Sequence, residues 1–102
     1  MQAIANQYNK TLTIKRRLAI LRHLLERQDR MDNDGGIRKM LEEGGDPINR
    51  LQLQAELHSL HHDHLLINRI RVSGTNLHVN ILSERGRDVA SGDASHPALL
   101  PD

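Results

Sequence analysis

The stretch from Asp46 to Leu66, DPINRLQLQAELHSLHHDHLL, reads as a helix entered through a tight turn. Gly44 and Gly45 can close a preceding helix in the left-handed conformation, and Pro47 stops that helix from continuing. Asn49 is a good N-cap, and Gln52 three residues on can reach back to it as a capping-box partner. Ile48 before the cap and Leu53 four residues after it are placed to form a hydrophobic staple. Leu53, Leu57 and Leu60 recur at helical spacing, so one stripe faces a core and leaves Arg50, Gln52, Gln54 and His58 for the open face. The helix is expected to stop near His62, with His64 in the left-handed position that follows a helix end.

Upstream, Ile14, Leu18, Leu21 and Leu25 make an apolar stripe with Ile20 and Leu24 beside it, so a helix is predicted from Thr13 to about Arg27 or Gln28. Residues 1–12 carry Ile4, Tyr8 and Leu12 at i+4 spacing and read as a helical arm, too short to be stable alone. Asp29 to Asp34 reads as a polar loop. A helix from about Asp34 to Glu43 turns Ile37, Met40 and Leu41 inward, but Gly35 and Gly36 cost about 1 kcal/mol each relative to Ala, so its first turn is expected to be short or frayed. A short helix, a glycine turn and a well-capped second helix make a helix-turn-helix.

Downstream, Ile67 to Val72 and Leu77 to Leu82 read as two strands around the turn Ser73-Gly74-Thr75-Asn76. Leu77, Val79 and Ile81 alternate with His78 and Asn80, the pattern of a strand with its apolar side inward. Arg69 and Arg71 share one side of the first strand. Ser83 caps a last helix to about Ala90, and Glu84 suits its positive end. The expected architecture is mainly α with a small β-hairpin (α+β), in the order α-α-α-β-β-α, a winged helix-turn-helix. Its parts are an N-terminal arm (1–12), the domain (13–91) and a flexible C-terminal tail (92–102).

Composition limits the chemistry. With 102 residues the core is modest, and it is aliphatic, because Tyr8 is the single aromatic residue. That disfavours single-strand and RNA binding by base stacking. The absence of cysteine rules out disulfides, thiol catalysis and thiolate zinc sites. No leader or membrane span is apparent, so a cytoplasmic location without membrane contact is expected.

The net charge of +1 is unevenly spread. Residues 1–30 hold seven bases (Lys10, Lys15, Arg16, Arg17, Arg22, Arg27, Arg30) against Glu26 and Asp29. From Met31 to Asp63 seven acids face Arg38, Lys39 and Arg50. A basic first helix can meet phosphate or an acidic partner, or be a solvated face.

The chain is also similar to a family of small proteins of Mu-like bacteriophages and prophages, described as winged-helix or ArsR-like regulators. The resemblance lies in RLAILRHLL (Arg17 to Leu25), in Leu57-His58-Ser59-Leu60 with Leu65 and Leu66, and above all in LSERGRDVASG (Leu82 to Gly92). The Pro97 and Pro101 tail is similar too. It implies a winged-helix fold and a DNA-binding role in the bacterial host. Two positions depart from the family: Ser59 stands where an aromatic is usual, and Leu51 where a polar or charged residue is usual.

On this reading Arg50, Gln52, Gln54 and His58 meet base edges in the major groove, while Arg69, Arg71 and Asn76 of the wing meet backbone or minor groove. Double-stranded DNA is the expected partner and a small transcriptional regulator the expected function, as a homodimer joined through residues 1–28. The alternative is a protein–protein module in phage packaging or assembly, contacting a phage or host protein, for which exposed Leu51 and the acidic middle of the chain speak. His58 and His62 lie at metal-binding spacing with His61, Asp63 and His64 close by, but histidines at a helix C-terminus suit its dipole without a metal. No metal or cofactor is expected. Neither glycine pair carries a phosphate-loop lysine, and Ser83, Ser91 and Ser95 have no activating neighbours, so no enzyme is expected.

Overall fold

The helix at the centre of the sequence is α3, Arg50–His62. Its first turn is locked by a complete capping box: the Asn49 side-chain oxygen accepts the Gln52 N–H at 2.8 Å, and Gln52 Oε1 accepts the Asn49 N–H at 3.2 Å. Ile48 and Leu53, the staple pair, are both buried, as are Leu57 and Leu60. At the other end the left-handed residue is Leu65, not His64. The Asp63 and His64 N–H groups both return to the Ser59 carbonyl, so the chain reverses one residue later. A leucine in that conformation costs about 1–2 kcal/mol, offset by the burial of Leu66 and Ile67 just beyond it.

The structure, a computed structural model, describes residues 2–99. It contains four helices and a small three-stranded antiparallel sheet. The first helix, α1, is continuous over Gln2–Glu26, so the expected arm and first helix are one element. Ile20, Leu21 and Leu24 form its buried face, while Ile14, Leu18 and Leu25 are only half-buried. The segment read as a polar loop contains a strand, β1 (Met31–Asn33), which pairs with β3. The observed order is therefore α1, β1, α2 (Asp34–Glu43), α3, β2 (Ile67–Arg71), β3 (His78–Leu82) and α4 (Glu84–Ala90).

Helix α2 is not frayed at its glycines. Asn33 caps it, its side chain accepting the Gly36 N–H at 2.8 Å. A Cβ on Gly36 would collide with the Asp32 carboxylate, which holds the His23 ring at 2.8 Å. Ile37 and Leu41 are buried, and Gly45 takes the left-handed turn that leads into Pro47.

The sheet order is β1-β3-β2, with Ile67 opposite Leu82, Arg69 opposite Asn80 and Arg71 opposite His78. The inward face of β3 is the reverse of the expected one. Asn80 is 0% exposed, Val79 and Ile81 are half-buried, and Leu77 is exposed. The cause is a polar network. Asn80 Nδ2 donates to Asp34 Oδ1 at 2.8 Å and to the Asp32 carbonyl at 3.3 Å, while its oxygen accepts Arg69 Nη1 at 2.9 Å. Arg69 also grips the Asp34 carboxylate through both terminal nitrogens, Nη2 at 2.7 Å. Burial alone would raise the Asp34 carboxyl, but the hydrogen bonds from Arg69 and Asn80 hold it below the ordinary range.

Ser83 caps α4, accepting the Gly86 N–H at 3.0 Å and donating to the Leu65 carbonyl at 2.8 Å. Gly86 lies against the backbone of Leu66, and a Cβ there would overlap the Leu66 carbonyl oxygen. This close approach accounts for the glycine inside LSERGRDVASG. The expected flexible tail is packed in part: Pro97–Leu99 form a 3-10 turn against α1, with Ala98 buried and its carbonyl accepting Arg17 Nη1 at 2.8 Å. The end of that tail, with Pro101, lies outside the described residues.

Urea denaturation of three variants checks these contacts. Gly86→Ala should lower stability by about 2–4 kcal/mol, because backbone must move to admit the methyl group, whereas Ser83→Ala should cost about 1 kcal/mol. Arg69→Ala should cost about 2–4 kcal/mol by leaving Asp34 and Asn80 without their donor. Asp34 and Asp46, both with carboxyls below the ordinary range, add stability that is complete above about pH 4 and lost as pH falls through their folded values. The acid limb of the wild-type stability curve should therefore be steeper than that of Asp46→Asn.

Candidate nucleic-acid interface

The expected contact residues fall into three groups. On α3, Arg50 and His58 are exposed and Gln54 is half-buried. Gln52 is exposed, but its oxygen is engaged by the cap, which leaves only its NH2 group for a base edge. Leu51, between Arg50 and Gln52, is 76% exposed. The His58 ring stacks on His62, with centroids 5.3 Å apart and planes 14° from parallel.

Arg38 of α2 joins this surface. With Arg50, Asp34, Gly35 and Leu53 it lines a shallow cavity of about 150 Å³, and its Nε donates to the Ile48 carbonyl at 3.0 Å. The α2–α3 turn places the two guanidinium groups around one hollow. Sequence reading missed Arg38 because its partner is twelve positions away on another helix.

On the hairpin, Arg71 and Asn76 come together. Arg71 Nε donates to the Thr75 carbonyl at 2.8 Å and Nη2 to Asn76 Oδ1 at 3.2 Å, around a turn whose Gly74 has φ 78°. Both side chains are exposed, beside exposed Ile70, Val72 and Leu77. Arg69 stands apart from them. Its side chain is 9% exposed and committed to Asp34 and Asn80, so its guanidinium ties the hairpin to the start of α2 and is not open like that of Arg71.

The basic face of α1 is also partly consumed. Arg16 pairs with Asp46 in a two-pronged contact, both bonds at 2.7 Å, and Arg17 Nε pairs with Glu56. The hydrogen bond from Arg16 holds the Asp46 carboxyl below its ordinary value. Two of the bases that looked available for phosphate thus neutralise acids of the chain's own middle third. Arg38, Arg50 and Arg71 have no ion-pair partner among the described residues.

The other two histidines of α3 are engaged locally: His61 Nδ1 lies 3.2 Å from the Ile67 carbonyl, and His62 Nδ1 lies 3.1 Å from Asp63 Oδ1. Among the described residues no three His, Asp or Glu side chains are placed to hold a metal ion. No described helix is long and apolar enough to cross a membrane. Set against models of protein families, against curated proteins and against solved structures, the chain matches none.

Proposed function

We propose that this chain is a winged helix-turn-helix that binds double-stranded DNA through α3 and the β2–β3 hairpin, as a small transcriptional regulator in the bacterial cytoplasm. What supports the architecture is the element order, with β1 between the first two helices and paired to β3, and a hairpin following the second helix of the pair. The observation that carries the function is the open face of α3. A helix fixed at its N-terminus by a complete capping box presents Arg50, Gln54 and His58, with Arg38 beside them. Guanidinium groups at that position can pair with guanine or phosphate. Arg71 and Asn76 are the hairpin's contribution; Arg69 acts by holding the hairpin on α2.

A second reading, a protein–protein module in phage assembly, is favoured by one observation: Leu51 stands almost bare beside Arg50, near the start of α3. An aliphatic side chain there can meet a thymine methyl or a partner's apolar pocket.

With Arg38, Arg50 and Arg71 as its phosphate contacts, affinity for random duplex DNA should fall with salt at a log–log slope of about −3, set by roughly 0.9 per phosphate. Fluorescence anisotropy across a salt series measures this. Arg50→Ala and Arg71→Ala should each flatten the slope by about 1 and leave the melting temperature unchanged. No binding at the lowest salt, together with a protein partner lost on Leu51→Glu, would replace the DNA reading with the second one.

A further inference from the structure

The first half of α1 is an exposed stretch of helix. Side chains 4–11 are all exposed, with Ile4 71% and Tyr8 68% exposed. The two sides of this helix differ. Asn9, Thr13 and Arg17 face the C-terminal turn at Pro97 and Ala98. Exposed Ile4 and Tyr8, followed at i+4 spacing by half-buried Leu12, lie on the opposite side. Farther along that same face, Leu12, Lys15, Arg16 and Ala19 form one wall of a groove of about 220 Å³, whose other wall is Met40 and the turn before Asp46.

We propose that this face is a self-association surface, on which Tyr8 of each copy docks in the α1–α2 groove of a second copy. The argument is geometric. A knob and a hole on one face of one helix satisfy a two-fold interface, where each patch meets its own counterpart. Tyr8 lies four residues before Leu12 and Arg16 four after, about 6 Å each way at the helical rise. Two α1 helices crossing antiparallel at Leu12 therefore bring Tyr8 of one level with Arg16 of the other. Ile4 then reaches the level of Ile20, beside Ala19.

Charge agrees with this occupant. The groove's cations, Lys15 and the Arg16 guanidinium, suit the electron-rich face of a tyrosine ring. Arg16 is already paired with Asp46, so two copies meet without a concentration of like charge. A partner also answers the exposure of this helix start, since a short helical segment with little burial is marginal in water. The face is one short helical stretch, smaller than the patches that make tight interfaces, so the dimer is a weak one. The proposal is independent of DNA binding.

Sedimentation velocity of the full chain tests it. A monomer–dimer equilibrium with a dissociation constant on the order of 10–100 µM is expected. Tyr8→Glu should weaken it at least about tenfold without lowering the melting temperature of the dilute protein, because Tyr8 supports nothing within one copy. The chain has no cysteine, so Leu12→Cys, on the proposed axis, should form a disulfide-linked dimer under mild oxidation, while Asn6→Cys, off that face, should not. A chain that stays monomeric throughout the series, a dimer indifferent to Tyr8→Glu, or equal cross-linking at positions 6 and 12 would each overturn the proposal.

Discussion

The carboxylate of Asp34 is where the structure is tied together. It heads α2, is gripped by Arg69 of β2 and receives the amide of buried Asn80 on β3; that same amide also reaches the carbonyl of Asp32 on β1. An amide buried without partners costs about 1–3 kcal/mol. Here the Asn80 NH2 group meets two acceptors and its oxygen meets Arg69, so burial is tolerated. The network is directional in a way that apolar contact is not. Slipping β3 by one residue would send Asn80 to solvent and break every one of these bonds, so the network fixes register as well as contact.

The division of the sequence into a basic first third and an acidic middle third acquires a different meaning once the chain is folded. Arg16 meets Asp46, Arg17 meets Glu56 and His23 meets Asp32. These partners come from the two segments of opposite sign, and the pairs join α1 to β1, to the α2–α3 turn and to α3. Charge segregation along the chain is thus partly an internal adhesive. The cationic surface left for a ligand is smaller than composition alone implies, and on α2, α3 and the hairpin it includes Arg38, Arg50 and Arg71.

That leaves α3 and the hairpin with a mixed character. Arginines and amides able to read a duplex alternate with bare aliphatic side chains: Leu51 on the helix, and Ile70, Val72 and Leu77 on the hairpin. The two kinds of contact are compatible on one surface, since a groove-reading helix gains from apolar contact with thymine methyls. The N-terminal half of α1 lies outside this surface, so self-association there would leave the proposed DNA-binding face open.

What was legible in the sequence is what local chemistry controls. The capping box of Asn49 and Gln52, the turn at Gly45 and Pro47, the cap at Ser83 and the leucine stripe of α3 involve groups within a few residues of one another, so their spacing alone specifies them. What only the tertiary structure decided involves partners far apart in the chain. Met31–Asn33 carry no strand pattern of their own and become β1 because β3 lies beside them. Arg69 looked like a wing contact because nothing near it in sequence neutralises it; its carboxylate is thirty-five positions away. The apolar alternation of β3 pointed to the wrong inward face because hydrophobic burial is non-directional and weak per residue, whereas a buried amide with three fixed partners admits one orientation. Local hydrogen bonds can be read from spacing; long-range polar pairs exist only after the chain has closed on itself.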